Sequence, residues 1–281
     1  MTKRVNLLVF LALSGAAAAG PAAAESVEAG GIALAPHRAV YDLQLAGTTG
    51  KQSLEAVRGR ILYDFSGSAC EGYTLQFRQV TQLDSGEGKS VTSDLRTTNW
   101  EEGHGKAFRF ATRNFLNNEP ADSSEGKAER QGADAAVTLT KPDDKTLTVK
   151  DVVFPSDQMR QVIAAAKQGR PILELGVYDG SDNGEKIYNT LSVIGHAIKA
   201  GDIPSGDAAA KEKGLEKLTR WPVTVSYFDR AKAGGDQTPV YSIAFEIYEN
   251  GIARALKLDY GDFKLSGELT TLEMKEAKPC P

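Results

Sequence analysis

Cysteine is the residue type whose chemistry is most readily interpreted here, because the chain has only two, Cys70 and Cys280. In an exported chain, an even number of cysteines favours a disulfide bond over two free thiols. A thiol at Cys280, one residue before the C-terminus, would also be exposed and readily oxidised. The alternative is a buried thiol at Cys70 and a free one at Cys280. A bond between the two would close a loop of about 210 residues and hold the ends of the fold together.

Histidines and short motifs give little support for catalysis. The three histidines, His37, His104 and His196, are scattered along the chain, and we interpret each as structural. The sequence has no G-x-S-x-G, H-E-x-x-H or G-x-G-x-x-G motif. The segment at 47–51 is too short for a phosphate-binding loop and precedes no helical pattern, so we predict a hairpin turn. We therefore predict no catalytic, cofactor-binding or metal-binding residue.

The segment at 179–184, Asp-Gly-Ser-Asp-Asn-Gly, is similar to the start of a calcium-binding loop. It has oxygen-bearing side chains at positions one, three and five, and glycine at position six. The match ends at position twelve, where Thr190 replaces the bidentate glutamate of an EF-hand. The flanking segments, 173–178 and 187–193, have the pattern of strands rather than helices. We predict a β-hairpin turn, and a weak cation site is the alternative.

The elements that would position these residues are mainly strands, because apolar and polar residues alternate with a period of two over most of the chain. Alternating segments include 41–45, 61–65, 73–77, 108–110 and 147–149. The clearest hairpin joins 241–247 to 256–260 through Asn250 and Gly251, a pair suited to a two-residue type I′ turn. A further strand follows at 263–269. These patterns predict a mostly β fold.

One segment has the spacing of an amphipathic helix. Apolar residues recur three and four positions apart at 159, 162, 163 and 166. Ser156 is the predicted N-cap, and Gly169 is the predicted end of the helix. A single helix beside a dozen or so strands would plug or cover a curved sheet. Three polar stretches, at 117–132, 201–214 and 231–236, are predicted loops.

The start of the chain has the features of a cleavable export signal. A positively charged beginning precedes an apolar run at 5–13, and an A-x-A pattern at 22–24 stands directly before Glu25. The run is shorter than the roughly 18 apolar residues that a membrane-spanning helix needs, so a transmembrane anchor is the weaker alternative. Lipidation is not expected, because the first cysteine is Cys70. We predict cleavage after residue 24, a single domain at 25–281 and a soluble periplasmic protein.

The charge balance limits the classes of partner. The formal net charge is −4, and no block of basic residues occurs. Nucleic acid and anionic lipid surfaces are therefore not expected as electrostatic partners.

Several of these features together resemble one protein family. They are the export signal, the segments Ala-Pro-His-Arg-Ala-Val-Tyr at 35–41 and Tyr-Asp-Gly-Ser-Asp-Asn-Gly-Glu-Lys at 178–186, and the positions of Cys70 and Cys280. They resemble the EipB-like cell-envelope integrity proteins over essentially the whole mature chain. The resemblance implies a spiral or broken β-barrel of about fourteen antiparallel strands. It also implies the Cys70–Cys280 bond and a periplasmic location.

The same resemblance implies a role in maintaining the cell envelope under stress, through periplasmic proteins such as tetratricopeptide-repeat partners, and it implies no reaction. Two classes of function remain. The first is a non-enzymatic periplasmic factor that binds a protein or a lipidic ligand, which the lack of a catalytic motif favours. The alternative is a hydrolase that acts on peptidoglycan or lipid through dispersed carboxylates. A deep apolar cavity would favour ligand binding, and converging acids in a cleft would favour hydrolysis.

Overall fold

One antiparallel sheet forms the body of the molecule. The structure, a computed structural model, describes residues 31–49, 54–86, 88, 90–202, 207, 209–210, 214–232 and 238–277. The strands are β1 (His37–Thr48), β2 (Ala56–Ser68), β3 (Gly72–Asp84), β4 (Ser90–Glu101), β5 (Ala107–Leu116), β6 (Glu119–Gln131), β7 (Asp134–Lys141), β8 (Lys145–Val149), β9 (Ile172–Val177), β10 (Tyr188–Ile194), β11 (Arg220–Asp229), β12 (Tyr241–Tyr248), β13 (Ala253–Asp259) and β14 (Phe263–Met274). They pair in the order β8-β7-β6-β5-β4-β3-β2-β1-β14-β13-β12-β11-β10-β9. The predicted mostly β, fourteen-stranded fold is confirmed.

The strand order follows the chain except where β1 meets β14. His37 pairs with Met274 on one side and with Phe65 on the other, so the first and last strands are neighbours in the middle of the sheet. Alternation sets which face each side chain occupies. On β1, for example, Tyr41 and Leu43 are buried, whereas the residues between and beside them are more exposed.

The end strands, β8 and β9, do not pair, and the segment between β8 and the helix closes the gap. We call residues 150–154 the seam segment. Its Val153 forms a parallel bridge with Val177 of β9. On its other side, the backbone N–H of Val152 donates to the carbonyl of Ala133 at 3.1 Å. The sheet therefore winds as a spiral whose two ends are joined through the seam segment.

The helix α1 (Pro155–Lys167) packs on the inner face of the sheet, as the spacing predicts. Val162 and Ile163 are buried in one cluster with Phe65 and other residues of the inner face. Gly169, with φ +70°, stands just past the end of the helix, where a left-handed residue lets the chain turn away. No helix among the residues that the structure describes is long and apolar enough to cross a membrane.

The beginning of α1 differs from the prediction. The N-cap position is Phe154, which makes no side-chain capping bond, and Ser156 lies inside the first turn. The free N–H groups of this turn are instead bonded by Glu101, a residue distant in sequence at the end of β4. The prediction that Ser156 caps the helix is therefore wrong, because a tertiary contact replaces the local cap.

The predicted loop at 117–132 is also wrong, because most of it forms β6. The inward positions of this strand hold small residues, and Ser124 and Ala128 are buried. At Gly126, an added Cβ would lie 2.7 Å from the carbonyl oxygen of Thr138 on β7. Small inward residues give too weak an apolar alternation for the strand to be recognised from the sequence.

The hairpin between β12 and β13 is confirmed, but its turn is longer than predicted. The backbone N–H of Gly251 donates to the carbonyl of Tyr248, and the N–H of Tyr248 donates to the carbonyl of Ile252, both at 2.9 Å. Three residues thus form the loop, and of these Gly251 alone has a positive φ, at +88°. This is the pattern of a three-residue loop that ends in a left-handed residue, rather than of a type I′ turn.

Several predictions fall partly or wholly outside the described residues. These are the export signal at 1–24, Cys280, part of the turn at 47–51, and parts of the loops at 201–214 and 231–236.

Candidate functional site

The inner face of the sheet and α1 enclose a cavity of about 560 Å³. Most of its lining side chains are aromatic or aliphatic. Phe77, Ile243 and Phe245 pack against a buried cluster and also line the cavity, and they are only partly buried. The volume lies within the range of roughly 300 to 1,000 Å³ that is typical of small-molecule sites.

Strand alternation produces this lining. Every second residue of a strand points to the same face. The inward positions of β3 and β12 are therefore almost all apolar or aromatic, and those that line the cavity are Tyr73, Leu75, Phe77, Gln79, Tyr241, Ile243, Phe245 and Ile247.

Tyr260, which follows β13, belongs both to the cavity wall and to the surface of the molecule. This side chain lines the cavity and is 37% exposed. It stacks on Phe263 with ring centroids 5.0 Å apart, and its hydroxyl accepts a hydrogen bond from Gln79 at 3.2 Å. These two contacts hold the Tyr260 side chain in the cavity wall.

A buried carboxylate, Glu101, lines the end of the cavity next to α1. One of its oxygens accepts the backbone N–H of Ser156 at 2.7 Å, and the other accepts that of Asp157 at 2.9 Å. Glu101 is 2% exposed, and burial raises its pKa to about 7 from the usual 4.5. Its two bonds to the positive end of a helix favour the charged form and oppose that shift. Both oxygens of Glu101 are thus already bonded.

A second acid, Asp179, lines the cavity from the turn after β9. One of its oxygens accepts the backbone N–H of Ser181 at 2.9 Å. The turn is held in place by β6, because the hydroxyl of Ser124 donates to the carbonyl of Gly180 at 2.6 Å. Gly180 has φ +74°, and an added Cβ would lie 2.3 Å from the ring of Phe110. Burial raises the pKa of Asp179 above its usual range.

Three tyrosines from β10, β11 and β12 form a corner in the cavity wall. Tyr227 and Tyr241 are stacked, with centroids 4.3 Å apart and planes at 12°. Tyr188 stands edge-on to both, at 85° and 80°, with centroid distances of 5.8 and 6.3 Å. We call these residues the tyrosine corner. Burial is the main cause of the raised pKa of each hydroxyl, and the charge of Asp179 is a further cause at all three.

The charged side chains that line the cavity are acidic. Among the described residues, no lysine or arginine lines it, and its carboxylates are Glu101 and Asp179. His37 also lines it, and its Nδ1 is 2.7 Å from the carbonyl oxygen of Ala35. Burial lowers the pKa of His37, so this ring is neutral at neutral pH. The cavity thus combines an apolar body with an acidic, aromatic end.

Comparison with known proteins identifies the family. Residues 28–276 match the model of the EipB-like family. The chain belongs to the EipB-like family. The protein from Brucella abortus (strain 2308) named cell envelope integrity protein EipB is 38% identical over 256 residues, which cover 91% of this chain and 88% of that protein. The family predicted from the sequence is therefore confirmed.

A solved structure supports the fold. The crystal structure of a beta-barrel-like protein of a domain of unknown function, also from Brucella abortus, is similar to this chain with a TM-score of 0.78 and 35% identity. The similarity covers 86% of this chain and 99% of the crystallised one. The fold of this chain is thus shared with an experimentally determined structure.

The structure places the residues predicted from the sequence at different sites in this EipB-like fold. Cys70 lies in the short turn between β2 and β3, far from the tyrosine corner in sequence and on another part of the sheet. Cys280 lies outside the described residues, so its bond to Cys70 stays a prediction. The segment at 179–184 is the predicted hairpin turn between β9 and β10.

The carboxylates of that turn have other partners. Asp182 accepts hydrogen bonds from the hydroxyl of Tyr188 and from Lys186, both at 2.6 Å. Asp179 faces the cavity instead. Within the part of the chain that the structure describes, no three His, Cys, Asp or Glu side chains are grouped so that they could hold a metal ion.

Sequence reasoning missed Glu101 and the inward position of Asp179. Strand alternation could have located Glu101, because it lies two residues after Asn99 and four after Thr97 on β4. These three side chains therefore point to the same face, and all of them line the cavity. The tyrosine corner has no comparable local signal, since its members come from three strands that only sheet pairing brings together.

Proposed function

We propose that this protein is a non-enzymatic factor of the bacterial periplasm that supports cell-envelope integrity by holding a lipidic ligand in its cavity. The observation that carries the proposal is the apolar cavity of about 560 Å³, whose partly buried side chains would be covered by a ligand. Transfer of a hydrocarbon chain from water to such a surface is favourable by about 0.8 kcal/mol for each buried methylene.

The role in the envelope rests on the family. The Brucella relative is named a cell envelope integrity protein, and its match covers most of both chains. The export-signal pattern at the start of the sequence supports a periplasmic location. N-terminal sequencing of the protein from periplasmic extract is expected to begin at or near Glu25, and a chain that begins at Met1 would contradict this location.

A periplasmic protein partner, such as a tetratricopeptide-repeat protein, and a role under envelope stress are further parts of the proposal. They rest on the family resemblance. Co-purification from periplasm with and without a crosslinker tests the partner.

A hydrolase is the second candidate, because two carboxylates line the same cavity. It is weaker, since both oxygens of Glu101 accept bonds from α1, which hold this carboxyl group against the helix rather than toward a substrate. A hydrolase would lose activity on lipid or peptidoglycan substrates in an Asp179→Asn variant, whereas a binding protein has no such activity to lose.

Cavity binding can be tested with two neighbouring residues of β4. Thr97 lines the cavity, and its hydroxyl is 3.3 Å from that of Thr112, whereas Thr98 points away and is exposed. The probe is N-phenyl-1-naphthylamine, a neutral dye that fluoresces in apolar surroundings. Thr97→Trp should fill part of the cavity and weaken dye binding at least tenfold, and Thr98→Trp should leave it unchanged.

Equal dye binding by both variants, or no dye binding by the wild type, would contradict the proposal. Native mass spectrometry of protein purified from its own periplasm provides an independent measurement. A lipid mass that accompanies the wild type and Thr98→Trp, but not Thr97→Trp, is the expected result.

A further inference from the structure

The acidic end of the cavity restricts which ligand it can accept. An anionic head group would meet no lysine or arginine there among the described residues, and it would meet the carboxylate of Asp179. A buried anion without a counter-charge is strongly disfavoured. Because Glu101 is engaged by the helix, Asp179 is the acid available to a ligand.

We infer that Asp179 and the tyrosine corner form a binding site for an ammonium group, so the ligand is a cationic or zwitterionic amphiphile with an amine or quaternary-amine head. This inference rests on the proposed function, because it assigns the head group of the molecule whose chain occupies the apolar part of the cavity.

The tyrosine corner supplies the first half of such a site. The ring of Tyr188 stands nearly perpendicular to the stacked rings of Tyr227 and Tyr241, and all three side chains line the cavity. Aromatic faces attract cations through the ring quadrupole, and groups of aromatic rings are a recurrent means of binding quaternary ammonium ions. One ring of the corner already attracts a cation, since the ammonium group of Lys186 lies 5.5 Å from the centroid of Tyr188.

Asp179 supplies the second half. Val177 pairs with Tyr188 across β9 and β10, and Asp179 follows Val177 by two residues, so strand pairing brings its carboxylate to the part of the cavity where the corner stands. One oxygen is oriented by the backbone N–H of Ser181 at 2.9 Å, so the position of the carboxylate is fixed by the turn. An ammonium group against these rings would neutralise a half-buried carboxylate that has no lysine or arginine beside it in the cavity lining among the described residues.

An unsatisfied acceptor in the same cavity points to a ligand that donates hydrogen bonds. Asn99 is 9% exposed and lines the cavity, and its Oδ1 has no hydrogen-bond partner among the described residues. Buried acceptors of this kind are normally bonded. A protonated amine brings N–H donors to this acceptor, a quaternary ammonium group binds through the rings and Asp179 alone, and a carboxylate or phosphate oxygen brings no donor.

The inference is tested by displacement of N-phenyl-1-naphthylamine with three probes. Two have the same twelve-carbon chain, dodecyltrimethylammonium and dodecanoate, and both are used below the concentrations at which they form micelles. The third is choline, which has the head group without the chain. Wild-type protein should release the dye at a dodecyltrimethylammonium concentration at least tenfold lower than that of dodecanoate, and choline should release little.

Two variants locate the preference. Asp179→Asn keeps an acceptor for the N–H of Ser181 and removes the charge, so the tenfold preference should fall to about threefold or less. Glu185→Gln is the matched control, because this acid lies in the same turn but pairs with Lys145 outside the cavity. It should keep the full preference. Tyr241→Leu, which removes one ring of the corner, should lower the preference severalfold and serves if Asp179→Asn does not fold.

The displacement results distinguish failure of the ammonium site from failure of lipid binding. If the dye binds but dodecanoate displaces it as well as the cation does, the ammonium site is wrong and lipid binding stands. If Asp179→Asn or the folded Tyr241→Leu keeps the tenfold preference, the site is not at the tyrosine corner. If choline alone displaces the dye as well as the long-chain cation, the ligand is a small amine rather than an amphiphile. If the dye does not bind at all, the proposed function fails and the inference fails with it.

Discussion

Glu101 shows how one buried side chain joins an element to the cavity. A carboxylate that is 2% exposed loses its hydration, which is unfavourable, and two helix N–H groups partly offset that loss. The raised pKa, about 7, shows that desolvation is the stronger effect. Glu101 thus acts as the N-cap of α1 from a distant strand, and its charge state should affect the stability of the whole fold.

The direction of the pH dependence follows from that shift. The pKa of Glu101 rises from 4.5 to about 7 on folding, so between these values the folded protein keeps a proton that the unfolded chain releases. The contribution of this group to the free energy of unfolding is therefore full below pH 4.5 and is lost as the pH rises to about 7. At 1.36 kcal/mol per unit of pKa, the loss is roughly 3 kcal/mol.

We expect Glu101→Gln to flatten this part of the pH profile. Urea unfolding at pH 5 and pH 8 should show a decrease in the free energy of unfolding for the wild type that is larger than the decrease for the variant. The control is Glu268→Gln, at an exposed position of β14, which should follow the wild type. Parallel profiles for the wild type and Glu101→Gln would show that Glu101 does not titrate in this range.

At the scale of elements, the seam segment compensates for the missing pair between β8 and β9. Arg230, which follows β11, donates to the side chain of Asn189 at 2.7 Å and to the backbone carbonyl of Asp151 at 3.1 Å. It also donates to the carbonyl of Lys150. One guanidinium therefore bonds β10 and the seam segment together. An arginine suits this task because its donors project in several directions in a fixed plane.

We expect Arg230→Lys to loosen the seam without unfolding the sheet. A single ammonium group cannot occupy the positions of three guanidinium nitrogens, so bonds to the seam segment are lost. The backbone N–H groups of Val153 and Tyr178 bond across the seam at 2.8 and 3.0 Å. Their hydrogen exchange should accelerate about tenfold, which corresponds to roughly 1.4 kcal/mol of local stability.

The control for the seam is Arg58→Lys, the same chemical change at an exposed position of β2. It should leave the exchange rates of Val153 and Tyr178 unchanged. Equal rates in the wild type and Arg230→Lys would show that the seam is held by its backbone bonds alone.

At the scale of the whole molecule, the pairing of β1 with β14 brings the two ends of the described chain together. The backbone N–H of Lys275 donates to the carbonyl of Pro36 at 3.0 Å, and its ammonium group bonds Asp64 of β2. Cys70 lies in the turn that follows β2. The C-terminal tail thus approaches the strand that leads to Cys70, which supports the predicted bond to Cys280.

We expect Cys280→Ser to leave a folded β protein with lower stability. A crosslink that closes a loop of about 210 residues is expected to contribute about 2 to 4 kcal/mol after strain, and its loss should lower the melting temperature by roughly 5 to 10 °C. Reductant should lower the melting temperature of the wild type by a similar amount and should not change that of the variant. Equal melting temperatures of oxidised and reduced wild type, with the bond confirmed by peptide mapping, would refute a stabilising role.

Local patterns in the sequence determined most of the fold. Period-two alternation located strands such as β1 and β12, and spacings of three and four located α1, because the face that a side chain occupies follows directly from backbone geometry. The segments at 35–41 and 178–186, with the cysteine positions, indicated the family that the comparison confirms. The strand β6 was not predicted, because its buried residues are small and give little apolar alternation. The N-cap was assigned wrongly to Ser156, because the distant Glu101 binds the N–H groups at the start of the helix.

The tertiary structure alone decided where the site lies. Alternation shows that Asp179 and Tyr241 belong to different elements, but only the winding of the sheet brings them to one cavity. The curvature of the sheet leaves an unfilled space between α1 and the inner face. A local sequence pattern does not show whether the side chains on opposite sides of that space touch. The pKa of Glu101 depends in the same way on burial by residues far along the chain. The sequence by itself determines which residues point inward, and the tertiary structure determines what they enclose, because enclosure is a property of long-range packing.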